Sequence, residues 1–274
     1  MPNPRDAGFA RFIAATYMGF MRADAYPDTR RSSVLSQGAV GLALAGAIFA
    51  AWIGLHVYSL FIFELSWGSL PVGILLAALL CWLSVGLFIV SHDAMHGSLA
   101  PGRKRLNGFI GGALLFLYAG FGWRKMRSAH FDHHRHAGRD GDPDFDTNNP
   151  AHFGRWYGTF LMRYFGWRSA LFVSSVVLVY WLVFGVPMTQ IVLLYGLPAI
   201  ASSLQLFYFG TYRPHNHRGE EFPDDHNARS ERFGTLTSLV TCFHFGYHHE
   251  HHLAPHVPWW GLPHHRRKQS ETIP

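Results

Sequence analysis

Three groups of histidines in this 274-residue chain carry the spacing of metal ligands. His92 and His96 of HDAMH stand four residues apart. His130, His133 and His134 of HFDHH fall at i, i+3 and i+4, and His248, His251 and His252 of HHEHH repeat that pattern. On an α-helix these offsets place side chains on one face, so each group can present its imidazoles to a common point. Eight imidazoles exceed what one ion coordinates, and two ions are therefore expected. Imidazole suits iron, zinc, copper or nickel. A structural zinc site takes four ligands, usually including thiolates, whereas the two cysteines, Cys81 and Cys242, stand apart in apolar surroundings. Calcium and magnesium call for oxygen donors. The HExxH spacing of zinc proteases fails, because three residues after Glu250 comes Leu253. Haem ligation would need single histidines deep in opposing helices rather than dense groups at helix ends.

Such groups need rigid elements that bring them to one place, and the composition says what those elements are. The chain is 49% hydrophobic and only 15% charged, well below the roughly 25% charged residues of soluble domains. Its apolar residues come in long runs rather than amphipathic stripes, which points to lipid as solvent. A first span is expected within 34–66 and a second over 72–91, running directly into HDAMH. The stretch 106–122 is apolar but short and glycine-rich, and fits either a re-entrant segment or a span. After the polar block 123–156, a second hairpin is expected from about 169–186 and 188–211, followed by a shorter apolar segment at 234–247 that leads into HHEHH. The expected fold is therefore all-α and integral to the membrane: two helical hairpins, four spans, and a histidine-rich cap on one side. The whole of 1–274 reads as one domain, with 1–33 as a lead-in and 264–274 as a basic tail.

Arg30, Arg31, Arg103, Lys104 and Arg105 flank the first hairpin and predict that the cap is cytoplasmic. The N-terminal MPNPRDAGFARF has no apolar signal-peptide core, so the first span is expected to act as the insertion signal. The net charge of +6 fits this loop bias and attraction to anionic lipid. Basic residues scattered through loops do not make the continuous track that nucleic acid requires, and no nucleic-acid partner is expected.

HDAMH, HFDHH and HHEHH resemble the three histidine boxes of the membrane fatty-acid desaturase/hydroxylase superfamily, whose members hold a di-iron centre that activates oxygen. Within that superfamily, HDAMHGSLAPGR, FGTYRPHNHRG, FPDDHNARS and TCFHFGYHHEHHLAPHVPWWGLP resemble bacterial β-carotene ketolases, over about residues 85–263. The chain departs from the family pattern at Pro214-His215-Asn216-His217, where the family favours Pro-His-Arg. The resemblance implies two Fe2+ ions, held by the eight box histidines and a ninth nitrogen ligand between the second and third boxes. His215 is the expected ninth ligand, with His217, His226 and His244 as alternatives. His56, His136, His152, His249, His256, His264 and His265 are not expected to bind metal.

Neutral imidazoles leave the charge of two ferrous ions uncompensated, so carboxylates nearby are expected to offset it and orient the rings. Asp93, Asp132 and Glu250 lie inside the boxes and are the first candidates. Asp142 and Asp144 are equal alternatives, or turn formers around Pro143. Trp123, Trp259 and Trp260 could line a ring pocket or form an interfacial aromatic belt, and Ser91, Met95 and Phe131 sit beside the boxes.

The reaction the resemblance implies places keto groups at C4 and C4′ of β-ionone rings, carrying β-carotene through echinenone to canthaxanthin and accepting hydroxylated carotenoids. The substrate would enter from the bilayer of a bacterial inner membrane. The sequence shows no dinucleotide fingerprint, and a ferredoxin-type donor is expected to supply electrons. A carotenoid 3-hydroxylase or a lipid desaturase would use the same boxes. A metal transporter is the reading from a different class, although transport sites favour polar groups at mid-membrane.

Overall fold

The computed structural model describes residues 29–217 and 221–272, so most of the expected lead-in over 1–33 lies outside the described residues. Every regular element among them is a helix. In chain order these are α1 (Thr29–Phe61), α2 (Leu70–His96), α3 (Lys104–Ala119), α4 (Trp123–His136), α5 (Phe153–Tyr164), α6 (Trp167–Val183), α7 (Met188–His215), α8 (Thr235–Cys242), α9 (His248–Leu253) and α10 (Leu262–Thr272). Three stretches are long and apolar enough to cross a bilayer: Gln37–Phe61 of α1, all of α2, and all of α7. The α3–α4 pair bends by 100° and the α5–α6 pair by 85°; counting each pair as one span gives at most five.

This differs from four straight spans. The segment expected at 169–186 forms twelve α-helical residues followed by a five-residue π turn. At 1.5 Å per residue that is about 25 Å, short of the ~30 Å hydrocarbon layer. Gly185, in the left-handed region at φ 67°, and Pro187 end it. The stretch at 106–122 divides between α3 and a sharp turn at Gly120, whose φ of 67° suits glycine. The polar block after it begins as helix α4, as the spacing of HFDHH requires.

Helix α2 is central and packs against α1, α3 and α7. Pro71 in its first turn and left-handed Gly97 after its last are the residues that start and stop a helix at least cost. Leu76, Leu80, Leu83, Leu87 and Val90 recur at helical spacing and are buried, whereas Val72, Ile74, Leu75 and Leu79 in the first half of the helix are exposed. In lipid such faces gain little from the hydrophobic effect, so close packing and interhelical hydrogen bonds must hold the bundle. Both are present. Trp52 Nε1 donates to Ser84 at 3.1 Å, the Tyr118 and Ser202 hydroxyls lie 2.9 Å apart, and the Gln190 amide donates to the Ser59 and Phe63 carbonyls at 2.7 Å. Gly86 lets Phe243 cross α2; a Cβ there would sit 2.7 Å from the Phe243 ring.

The C-terminal ends of α2 and α7 lie at one end of the bundle, covered by α4, α8 and α9. The sequence expectations meet there.

Candidate metal centre

Each histidine group is aimed by a local feature of its element. His92 and His96 occupy the last turn of α2, where Ser98 Oγ and the Ser98 amide both donate to the Asp93 carbonyl and lock the helix end. His130, His133 and His134 sit near the end of α4. His215 is the last residue of α7, just past a π turn at Tyr208–Tyr212. The third box forms the short helix α9, set at its angle by Phe243 and His244 at φ 47° and 64°. Non-glycine residues in that region cost of order 1 kcal/mol each and persist where surrounding contacts hold them. Here Phe243 stacks on Trp82 with centroids 4.4 Å apart, and His244 lies parallel to Tyr247.

The nine expected histidines come together in two adjoining sets. His92, His96, His130, His134 and His251 form one, and His133, His215, His248 and His252 the other; within each set one ligand atom per residue lies within 4.8 Å of all the others. Helices α4 and α9 contribute to both. In α4 the i and i+4 residues serve one set and the i+3 residue the other, and α9 shows the converse split. The i+3 and i+4 positions of a helix straddle its face, so one box can feed two centres side by side.

The nitrogen atoms carry the chemical content. Nε2 of His96 and His130 lie 2.6 Å apart, those of His134 and His251 3.1 Å, and those of His215 and His248 3.0 Å. His133 Nδ1 donates to both oxygens of Asp142, at 3.0 and 3.1 Å, and His215 Nδ1 donates to the Asn227 carbonyl at 2.7 Å. Those bonds fix the orientation of the two rings and point their Nε2 atoms inward. His133 Nε2 and both nitrogens of His92 are buried without a hydrogen-bond partner. Lone pairs converging in a buried space are what a cation satisfies and protein groups do not, so the donor set fits metal ions. Burial, reinforced by neighbouring imidazoles, holds His248, His251 and His252 well below the ordinary histidine pKa. They are therefore neutral and ready to ligate.

The five candidate carboxylates separate by their partners. Asp132 faces outward and pairs with Arg135 at 2.5 Å. Asp93 is buried and accepts from the Trp259 amide at 3.1 Å, with His92 Nδ1 at 3.7 Å, too far for a hydrogen bond. Glu250 accepts from Ser230 Oγ and faces Arg266 at 3.4 Å. Asp93 and Glu250 tie their boxes to the surrounding chain, and none of the three hydrogen-bonds a box imidazole. Asp142 does, and it also accepts from the Gly138 and Asp144 amides at 2.8 Å. Burial works to raise its carboxyl, but the His133 imidazole and these donors hold it below the usual range. Asp144 is pushed up to about 6 by burial and by Asp142 beside it, against the pull of His133.

The remaining candidates separate by contact. His217 Nε2 is turned to the Gly138 carbonyl at 2.7 Å, His226 lies 6.2 Å from His252 ring to ring, and His244 stacks within 6.0 Å of Trp259. None of the three joins either set. His249 pairs with Asp224 and His56 with the Tyr180 hydroxyl, both at 2.8 Å.

An apolar cavity opens beside the two sets. His92, His130, His133 and His248 form one wall, and Phe88, Met95, Tyr118, Phe121, Leu206 and Phe245 face them. Its polar lining includes Asp144, Tyr164, Ser203 and Thr211. Of the two roles open to the tryptophans, pocket lining is not the one seen: Trp123 packs into the notch at Gly111, and Trp259 packs edge-on against Phe243. Neither Ser91 nor Phe131 reaches the cavity, since Ser91 Oγ bonds back to the Leu87 carbonyl and Phe131 lies outside against His96. Asn227, whose carbonyl fixes His215 from a left-handed turn at φ 46°, carries no sequence signal beyond asparagine's tolerance of that conformation.

Comparisons with known proteins agree with this geometry. The family model for fatty acid desaturases matches residues 65–172 and 161–274. A protein named beta-carotene ketolase from Paracoccus sp. (strain PC1) is 48% identical over 239 residues, covering 87% of this chain and 97% of that relative. Another beta-carotene ketolase, from Paracoccus sp. (strain N81106 / MBIC 01143), is 52% identical over 84% of this chain and 93% of its own length. A zeaxanthin 4-ketolase of Chlamydomonas reinhardtii is 36% identical over 81% of this chain and 52% of the algal protein.

Proposed function

This chain belongs to the fatty acid desaturase family, among the beta-carotene ketolases, and from that premise we propose a complete reading of its site. The enzyme is a membrane oxygenase that oxidises the C4 methylene of β-ionone rings, taking β-carotene to echinenone and canthaxanthin. The observation that carries this reading is the pair of histidine sets beside a cavity whose lining is otherwise mostly apolar.

Two iron ions, one in each set, would supply the oxygen chemistry: O2 and two electrons per turn convert the methylene to an alcohol, and a second turn gives a gem-diol that loses water to the ketone. The chain's own residues do the rest. Asp142 and the Asn227 carbonyl hold His133 and His215 with their Nε2 atoms inward. Phe88, Met95, Phe121, Leu206 and Phe245 exclude water and present an apolar slot to a hydrocarbon ring. The polyene is too apolar to cross water, so entry from the bilayer suits a slot placed at the ends of α2 and α7. The C4 position is allylic, which makes its C–H bond the weakest the ring offers to an oxidant.

In this reading the chain crosses the bacterial inner membrane, with the bent pairs α3–α4 and α5–α6 completing the bundle and the histidine cap on the cytoplasmic side. Electrons come from a ferredoxin-type donor, and the whole chain acts as one domain. Expression in a β-carotene-producing host, followed by pigment extraction, tests the reaction. Echinenone and canthaxanthin are expected; zeaxanthin would make it a 3-hydroxylase, and unchanged β-carotene would remove the reading.

A further inference from the structure

We infer that the outer face of α4 is the docking surface for a small acidic one-electron carrier protein, an inference that rests on the oxygenase reading above. One groove there is lined by Trp123, Arg124, Arg127, Ser128, Phe131 and Arg135. Arg124, Arg127 and Arg135 are exposed. The one acidic residue of α4, Asp132, is bonded to Arg135, so the face keeps a strong positive excess.

What lies beneath the arginines separates this patch from an ordinary basic surface. The Arg127 guanidinium sits 4.6 Å over the Phe131 ring, and its Nε donates to the Met95 carbonyl at 3.2 Å, between His92 and His96. The Phe131 ring is 5.4 Å from the His96 ring and 6.2 Å from that of His130. The floor of the groove is therefore one aromatic ring away from the five-histidine set. That set is also the one that approaches the surface: His96, His130 and His134 are partly exposed, whereas all four members of the other set are buried.

Each hydroxylation consumes one C–H bond, one O2, two electrons and two protons, and yields one C–OH and one water. The substrate supplies two of the four electrons that O2 takes up, and an external donor must supply the other two. A donor with an acidic surface would be steered to this face by the arginines and seated over Phe131, its electrons entering at the nearest point to the imidazoles. Anionic lipid headgroups would be drawn by the same charges, but they would occupy the arginines without using the aromatic floor.

The test uses the iron-loaded enzyme in neutral phosphatidylcholine nanodiscs and an acidic plant-type ferredoxin. Binding is measured directly, and turnover is measured as a function of ferredoxin concentration. The double variant Arg124→Glu/Arg135→Glu should raise both the dissociation constant and the half-saturating ferredoxin concentration at least ~10-fold and flatten the salt dependence. Iron content and dithionite-driven product should stay within about twofold of wild type. Arg124→Lys/Arg135→Lys should bind as the wild type does. Ferredoxin binding unchanged by the charge reversal would overturn the proposal. So would a variant whose only loss is binding to phosphatidylglycerol vesicles, which would make the patch a lipid site. Ferredoxin binding that depends on the arginines, with no ketone from either electron source, would support the docking surface and sink the ketolase reading instead.

Discussion

At the residue scale, orientation separates groups that composition treats alike. Five carboxylates lie in or near the boxes, and the hydrogen bond to an imidazole comes from Asp142. Replacing Asp142 with Ala leaves the His133 Nδ1–H buried without its acceptor and frees the ring to turn. Partners of this kind are worth about 10- to 100-fold in metal affinity or activity, and a loss of that size is expected in iron retention and turnover. Asp132→Asn removes an exposed pair with Arg135, where such pairs contribute ~0–1 kcal/mol, so activity within about twofold of wild type is expected. Equal effects of the two changes, measured as iron per chain and ketone formed, would refute the assignment. The eight box histidines were legible from spacing because helix geometry turns an interval into a shared face. Asp142 could be named as a candidate but not chosen over Asp93, Asp132, Asp144 or Glu250, because it lies in the turn DGDP, where no period relates a residue to a direction.

At the element scale, the three long apolar helices could be read from composition and the bends could not. Apolar content measures affinity for lipid; where a chain turns depends on single close contacts. Gly111 is one of these: a Cβ there would sit 2.2 Å from the Trp123 ring and 2.9 Å from the Ala94 Cβ. Helix α3 is thereby wedged between the box turn of α2 and the start of α4. Gly111→Val should overpack this junction at a cost of about 1–3 kcal/mol and displace both boxes. Less iron and a lower melting midpoint than wild type are expected from purified protein in detergent, whereas Gly158→Ala, inside α5 with no neighbour within 4 Å of its Cβ, should leave the iron unchanged and the midpoint no lower. Trp123 belongs to the same lesson. Its aromatic character suggested a substrate pocket, yet its ring is spent on α3, and the cavity is lined instead by Tyr118, Phe121 and Phe245, which nothing in the linear pattern distinguished from other core aromatics.

At the scale of the whole molecule, the histidine cap couples pH to both stability and metal content. Burial, then adjoining imidazoles, lowers the pKa of His248, His251 and His252. The unfolded chain takes up protons at these positions below about pH 6.5, and the folded chain does not. Below that pH the unfolded state binds more protons, so stability falls as pH falls and is unaffected by these groups above it. Metal binding has the same sign, since only neutral imidazole ligates. Bound iron should therefore be level from pH 8 to 7 and decline below about 6.5; iron held in full at pH 5 would contradict the account. Iron counted per chain in the purified enzyme bears on the centre itself most directly. Two per wild-type chain are expected, with a loss in both His96→Ala and His252→Ala, one from each set. A single ion, or two ions retained in both variants, would show that the nine imidazoles do not hold a pair of irons.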